Sequence, residues 1–222
     1  NKKRRHMRFF ALLLTLVFAL PLAIARRFFS PRAKMSPPAN TYALITGASS
    51  GIGTEIARSL ARRGYNLVIT ARREGPLVSL AEELSSEYGV QVKVIISDLS
   101  ARDGAYALRK AVTAVRVAPE VVVLNAGVAL TGSVETIAAQ EERVQAMLAL
   151  NVASTTLLAH SYGTDLAAQG FGRIVLISSV TASVGVRSAA AYAASKAYIR
   201  HLGRSMRADL SPKGVAMTFI FP

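Results

Sequence analysis

The 222-residue sequence contains no cysteine and no tryptophan. Without cysteine there can be no disulfide framework and no metal site with cysteine ligands, and no metal site is predicted. Acidic residues are also scarce, with 13 Asp and Glu against 27 Lys and Arg, which gives a formal net charge of +14. Apolar residues make up 51% of the chain, which is enough for one well-packed domain.

The positive charge is concentrated at the start of the chain. Residues 1–40 contain nine Lys and Arg and no acidic residue, whereas the remainder contains 18 basic and 13 acidic residues. Basic residues on both sides of an apolar run are typical of membrane targeting, and no nucleic-acid recognition motif accompanies them. The sequence therefore argues against nucleic acid as a partner.

An uncharged apolar run, Phe9 to Ala25, lies between the basic residues, and a proline-rich tether follows it up to Asn40. The run has the basic start and small-residue end of a signal peptide, and it also has nearly the length of a membrane anchor. We expect residues 1–40 to form a signal or anchor leader and favour membrane association, at the endoplasmic reticulum. The alternative is a secretory lumen or an organelle, reached after the leader is cleaved.

From residue 41 onward, short apolar runs alternate with longer amphipathic segments. The runs are rich in Val and Ile and predict strands of a parallel sheet covered on both faces, at 42–46, 66–70, 92–96, 121–125, 173–178 and 216–221. Helix-length segments lie between them, at 52–63, 76–88, 102–116, 140–168 and 192–210. This alternation predicts an α/β fold with a Rossmann-like, doubly wound parallel sheet, in a single domain over residues 41–222.

The first predicted strand ends in the glycine-rich turn GASSGIG, residues 47–53. A nucleotide pyrophosphate approaches the backbone N–H groups at a helix N-terminus, where a Cβ would obstruct it. Gly47 would permit the tight turn, Gly51 the close approach and Gly53 the packing of helix on strand. An ordinary strand-to-helix loop could use the same residues, but the position at the first strand–helix junction favours a nucleotide site.

Tyr192 and Lys196 are four residues apart, which places them on one face of a predicted helix. A free Tyr phenol loses its proton only in alkaline solution, and a nearby ammonium group favours the phenolate. The pair could therefore act as a general acid and base beside a carbonyl or alcohol carbon. Ser179, at the end of the strand predicted over 173–178, could hydrogen-bond a substrate oxygen, with Ser178 as the competing choice.

Further motifs follow the glycine-rich turn in a fixed order: Asp98-Leu99, Asn125-Ala126-Gly127, Asn151, Ser179 and Tyr192-Ala-Ala-Ser-Lys196. With these motifs the chain resembles the classical short-chain dehydrogenase/reductase family across residues 42–222. The resemblance implies four catalytic residues, Ser179, Tyr192, Lys196 and Asn151. It implies cofactor contacts from Gly47, Ser49, Ser50, Gly51, Ile52, Gly53, Asp98, Leu99, Asn125, Ala126, Gly127, Tyr192 and Lys196.

The resemblance also implies the reaction. A hydride would pass between a nicotinamide cofactor and a carbonyl or alcohol carbon while Tyr192 transfers the proton. Ser179 would position the carbonyl, Lys196 would also hold the nicotinamide ribose, and Asn151 would hold a water between Lys196 and solvent. The leader, together with membrane-bound family members that act on steroids, retinoids and ketoacyl or sphingoid lipids, favours a lipophilic substrate. The alternative is a catalytically silent nucleotide-binding sensor or scaffold with the same fold.

The end of the second predicted strand indicates which nicotinamide cofactor to expect. It reads Thr70-Ala71-Arg72-Arg73, with no carboxylate before Glu74. Family members that prefer NAD carry an acidic residue there, whereas an Arg suits a 2′-phosphate through charge-assisted hydrogen bonds. We therefore expect NADP(H) as the cofactor, with Arg72 as the contact.

The sequence departs from the family pattern at its end. It stops at Pro222, just after the sixth predicted strand, whereas family members continue through a substrate-covering loop and helix to a seventh strand. We therefore expect the domain to be incomplete at its C-terminal end. Segments 140–168 and 192–210 resemble the helices through which family members associate, so a homo-oligomer is expected by analogy.

Overall fold

The computed structural model describes Pro37 and residues 40–222, so the apolar run Phe9 to Ala25 and all of the predicted leader except Pro37 and Asn40 lie outside the described residues. Six parallel strands form one sheet in the order β3-β2-β1-β4-β5-β6, and the prediction of a Rossmann-like sheet is confirmed. Each strand begins and ends within two residues of its predicted bounds. The strands are β1 (Tyr42–Thr46), β2 (Asn66–Ala71), β3 (Val92–Ile96), β4 (Pro119–Leu124), β5 (Gly172–Ile177) and β6 (Val215–Ile220).

Helices connect the strands and cover both faces of the sheet. They are α1 (Gly51–Ala61), α2 (Glu74–Tyr88), α3 (Gly104–Ala114), α4 (Val134–Ala138), α5 (Glu141–Leu148), α6 (Thr155–Gln169) and α7 (Ala190–Leu210). No helix in this described part of the chain combines the length and apolar composition needed to cross a bilayer.

The segment predicted as one helix over 140–168 is not uniform. It consists of α5, a π-helical segment (Ala149–Ser154) and α6. The sequence also gave no indication of α4, a single short helix whose first turn is capped because the Ser133 hydroxyl accepts a hydrogen bond from the Thr136 N–H. A π-helical turn holds one extra residue, so it changes which side chains face the sheet.

The central strand β1 is buried along its whole length. Leu44 packs into the apolar core beneath α3, α6 and α7, whereas Ala43 and Ile45 pack into the core beneath α1 and α2. Sequence order reverses between β1 and β4, and in open α/β sheets ligands bind at this point, beside the carboxyl ends of the strands. The residues that follow β1, β4 and β5 therefore lie where a ligand of this fold is expected to bind.

Close packing at the start of α3 leaves no space for a side chain at Gly104. A Cβ added to Gly104 would lie 2.2 Å from the carbonyl oxygen of Asp98 and 2.9 Å from the Cα of Leu99. Because both are backbone atoms, neither can swing aside. We expect Gly104→Ala to lower the free energy of unfolding by about 1–3 kcal/mol, measured by urea denaturation.

Gly75 provides the matched control, since it also lies in the first turn of a helix, α2, and nothing lies within 4 Å of its added Cβ. Gly75→Ala should leave stability unchanged or raise it by up to about 1 kcal/mol. Equal effects of the two substitutions would contradict the packing argument.

Candidate active site

Thr46 joins the carboxyl ends of the two central strands. Its hydroxyl donates to the Val123 carbonyl at 3.3 Å and accepts from the backbone N–H groups of Asn125 and Ala126, each at 3.0 Å. The Asn125 side-chain amide returns two bonds, to the carbonyls of Thr46 and Gly47 at 3.0 and 3.1 Å. These bonds fix the glycine-rich turn to the segment after β4. Thr46 is not among the predicted site residues, although a hydroxyl residue at the end of a buried strand is a signal that the sequence carries.

The glycine-rich turn is tightly packed on its inner side and open on its outer side. Gly47 has φ +69°, and a Cβ there would lie 2.8 Å from the Ala126 Cα, while a Cβ on Gly53 would lie 2.3 Å from the Gly47 carbonyl oxygen. By contrast, nothing lies within 4 Å of a Cβ on Gly51. The first turn of α1 holds no acidic side chain, and the Ser50 hydroxyl does not cap it. Its N–H groups are therefore available to an anion at the open side of the turn.

The two arginines after β2 take different positions. Arg72 is largely exposed, with Nη1 4.0 Å from Oδ2 of Asp98. Arg73 reaches the glycine-rich turn, where Nη2 donates to the carbonyl and hydroxyl of Ser49 at 3.3 and 3.2 Å and to the hydroxyl of Ser50 at 2.9 Å. The Arg73 guanidinium thus lies at the predicted pyrophosphate site, whereas that of Arg72, the predicted cofactor contact, lies beside Asp98.

Lys196 is the buried cation of the site. Its side chain is 6% exposed, and Nζ donates to the carbonyl of Ile177, the last residue of β5, at 3.0 Å. Nζ also lies 5.8 Å from the centroid of the Tyr192 ring. Among the described residues no acidic side chain pairs with Lys196, and burial lowers the pKa of this ammonium from 10.5 to about 8. The group can therefore gain or lose a proton close to neutral pH.

Asn151 lies in the π-helical segment and is 1% exposed. Its amide pairs with the backbone of Val128 in both directions: Nδ2 donates to the carbonyl at 2.9 Å, and Oδ1 accepts from the N–H at 3.0 Å. Nδ2 also donates to the hydroxyl of Ser195 at 3.2 Å. A Cβ on Gly127 would lie 3.1 Å from Oδ1 of Asn151 and 3.3 Å from Nζ of Lys196. The structure thus brings Gly127, Asn151 and Lys196 into direct proximity.

The two candidate serines after β5 differ in what their hydroxyls contact. Ser178 donates to the backbone carbonyl of Lys196 at 3.0 Å, so its hydroxyl proton is bound within the protein. Ser179 precedes a 3₁₀ turn (Val180–Ser183), and its hydroxyl accepts from the Thr181 N–H at 3.3 Å. An accepting hydroxyl keeps its own proton for another acceptor. Ser179 is therefore the serine that can donate to a substrate oxygen.

The remaining predicted cofactor residues lie in different environments. Ile52 is 42% exposed on α1, next to the open side of the turn. Asp98 is half exposed after β3 and accepts from the backbone N–H and the hydroxyl of Ser100 at 2.9 and 2.6 Å. The Leu99 side chain packs into the core at 5% exposure, so that side chain does not reach the crevice.

A doubly wound sheet with an open glycine turn at the reversal of strand order, and a half-buried Tyr192 beside the buried Lys196 at the same edge, defines a dinucleotide-binding α/β protein. Residues 41–222 match the short chain dehydrogenase family, and the chain belongs to that family.

Curated relatives include proteins named as oxidoreductases and proteins named as inactive. The chain is 33% identical to an uncharacterized oxidoreductase of Bacillus subtilis, YmfI, over 82% of this chain and 74% of that protein. It is 29% identical to a very-long-chain 3-oxoacyl-CoA reductase of Podospora anserina, over 81% of this chain and 53% of that protein. It is also 28% identical to the human inactive hydroxysteroid dehydrogenase-like protein 1, over 90% of this chain and 62% of that protein. The chain thus spans from about half to three quarters of the length of these relatives.

Solved structures show the same architecture. A bulky-bulky ketone specific alcohol dehydrogenase from Comamonas testosteroni is 33% identical with a TM-score of 0.76, over 82% of this chain and 72% of that one. A short-chain dehydrogenase from Sphingobium yanoikuyae in complex with NADPH is 32% identical with a TM-score of 0.73, over 81% and 70%. A metagenomic short-chain oxidoreductase in complex with NADP is 31% identical with a TM-score of 0.77, over 86% and 84%. Two of these similar proteins are thus complexes with NADP or NADPH.

The buried ammonium generates a prediction about stability and pH. Because the pKa of Lys196 is about 8 in the folded protein and 10.5 when the group is solvated, the unfolded chain binds more protons between those values. Stability therefore rises with pH across that window, and the destabilisation is complete below it. We expect Lys196→Met to raise the free energy of unfolding at pH 7 by about 1–3 kcal/mol, with the gain disappearing as the pH approaches the pKa of a solvated lysine.

Urea denaturation at pH 7 and at pH 10 would measure this difference. Lys110→Met, at an exposed position of α3, serves as the control and should have little effect at either pH. A Lys196→Met protein less stable than the parent at pH 7 would show that the ammonium is not destabilising.

Proposed function

We propose that the protein is an NADP(H)-dependent oxidoreductase that interconverts a carbonyl compound and its alcohol. The observation that carries the proposal is the buried ammonium of Lys196, which lies beside the Tyr192 ring without an acidic partner among the described residues. Keeping a cation in this setting destabilises the fold, so the site is better explained by chemistry than by packing.

The residues around the glycine-rich turn fit a nicotinamide dinucleotide with a 2′-phosphate. The space beside Gly51 and the uncapped N-terminus of α1 suit the pyrophosphate, and the guanidinium groups of Arg72 and Arg73 suit the additional phosphate. The NADP and NADPH complexes of similar proteins support this choice of cofactor. When bound, NADPH supplies a hydride equivalent.

The side chains of this chain supply the proton and hold the substrate. In the reducing direction the Tyr192 phenol would give its proton to the carbonyl oxygen, while the bound cofactor would supply the hydride for the carbonyl carbon, which yields the alcohol. The Ser179 hydroxyl donates to the same oxygen. Lys196 stabilises the phenolate that Tyr192 becomes, and its pKa of about 8 suits proton exchange near neutrality. Asn151 keeps Val128 and Ser195 in place around this pair.

The substrate we propose is a lipophilic carbonyl compound or alcohol, such as a ketone, steroid, retinoid, or ketoacyl or sphingoid lipid. Similarity to a very-long-chain 3-oxoacyl-CoA reductase and to a dehydrogenase specific for bulky-bulky ketones supports this class. The basic, apolar leader supports attachment to a membrane, for which we propose the endoplasmic reticulum. We propose a homo-oligomer through α5, α6 and α7, by analogy with the family.

A catalytically silent nucleotide sensor or scaffold is the second candidate. Similarity to the human inactive hydroxysteroid dehydrogenase-like protein 1 favours it. Such a protein would bind NADPH without turning over any carbonyl compound, so a turnover assay discriminates between the two functions.

The first test is NADPH oxidation against a panel of bulky ketones, steroid ketones, retinal and 3-oxoacyl thioesters. We expect turnover of at least one compound, and Tyr192→Phe should lower kcat by about 10²–10⁴-fold because the acid is removed. Binding of NADPH, followed by its fluorescence, should be retained. Tyr198→Phe removes a hydroxyl from an exposed position of the same helix and should keep the activity. NADPH binding without turnover of any compound would favour the sensor.

The second test concerns the arginines. We expect Arg72→Asp and Arg73→Asp each to lower the ratio of kcat/KM for NADPH over NADH by about 10–100-fold, since each removes a charged hydrogen-bond donor. Arg204→Asp, at an exposed position of α7, makes the same charge change away from the turn and should leave the ratio unchanged. An unchanged ratio in both arginine variants would refute the assignment of the 2′-phosphate site.

A further inference from the structure

Two buried serines bond the backbone of the residues that carry the proposed chemistry. Ser195 is 2% exposed, and its hydroxyl donates to the carbonyl of Tyr192 at 2.6 Å. Ser178 is also 2% exposed, and its hydroxyl donates to the carbonyl of Lys196 at 3.0 Å. Neither hydroxyl proton is left for a ligand, so the effect of these serines is on α7 itself.

Ser195 connects α7 to the π-helical segment. Its oxygen accepts the second Nδ2 hydrogen of Asn151, whose amide is otherwise paired with both backbone groups of Val128. A continuous chain of hydrogen bonds therefore runs from the segment after β4, through Asn151 and Ser195, to the backbone of Tyr192. Asn151 and Ser195 are both buried, so the loss of the Ser195 hydroxyl leaves a buried amide donor without a protein partner.

Ser178 connects α7 to the end of β5. Its own N–H donates to the carbonyl of Ile220 on β6 at 2.8 Å, which fixes it in the sheet. The preceding residue, Ile177, accepts the hydrogen bond from Nζ of Lys196 at 3.0 Å. Residues 177 and 178 therefore hold Lys196 at both ends, the ammonium by a carbonyl and the backbone by a hydroxyl. The flexible lysine side chain is thereby restrained both at its backbone and at its ammonium group.

We propose that Ser195 and Ser178 are positioning residues. They fix the rotation of α7 about its axis and its position along that axis, so that Tyr192 and Lys196 are held in the geometry that the reaction needs. The two connections come from different elements, the π-helical segment and β5, so together they restrain both the turning and the sliding of the helix. A displacement of about 1 Å at the reacting atoms can lower a rate by about 100-fold, so small movements of α7 would lower the rate of the reaction. This inference rests on the proposed function.

The kinetic test uses Ser195→Ala and Ser178→Ala, with Ser205→Ala at an exposed position of α7 as the matched control. We expect each buried variant to lower kcat by about 10–100-fold, with the KM for NADPH changed less than about twofold. Ser205→Ala should behave as the parent. Restoration of the hydroxyl in Ser195→Thr or Ser178→Thr should recover most of the lost kcat. Thermal denaturation of every variant identifies the folded proteins to be compared.

Two kinetic results would overturn the inference: parental kcat in both alanine variants, or a loss of kcat that neither threonine variant reverses although the protein is folded. If the parent protein oxidises no NADPH with any carbonyl compound, the proposed function fails, and hydrogen exchange then tests the connections alone. Faster exchange of the amides of residues 190–200 in the two alanine variants than in Ser205→Ala would support them. Equal exchange in all three would overturn them.

Discussion

One buried cation organises this site. The ammonium of Lys196 is held by the final carbonyl of β5, at an edge where all six parallel strands place their carboxyl ends. Removing an ammonium from water is unfavourable, and here burial lowers the pKa of Lys196 to about 8. Burial of the ammonium lowers the stability of the fold, and the large apolar cores on both faces of the sheet offset this loss. Tyr192, on the same helix, and Ser179, just after β5, carry the other proposed reacting groups.

The elements around Lys196 are joined by side-chain hydrogen bonds rather than by packing alone. Thr46 and Asn125 hold the glycine-rich turn against the end of β4, and Asn151 holds the next part of that segment against α7. Gly127 lies between Asn151 and Lys196, where any larger residue would press on both. The proposed cofactor site and the proposed proton-transfer site are therefore both built on the hydrogen-bonded segment that follows β4.

Much of this arrangement follows from the sequence. Runs of Val and Ile alternating with amphipathic segments predicted the sheet and its covering helices, because burial on two faces leaves a pattern in the residues themselves. The π-helical segment within 140–168 was missed, since an extra residue in one turn has no residue-type signature. The contacts of Arg73 with Ser49 and Ser50, and of Ser195 with Asn151, were also missed, because they join residues 23 to 44 positions apart. The leader and the substrate class stay predictions from composition and similarity.

Transfer of an isotope label from the cofactor would show whether this protein passes a hydride to a carbonyl compound. The full protein would be incubated with NADPH carrying deuterium at both C4 positions of the nicotinamide and with a bulky ketone, and the alcohol product would be analysed by mass spectrometry. We expect one deuterium on the carbinol carbon of the product. Bound NADPH together with an absence of deuterated alcohol for every ketone tested would contradict it.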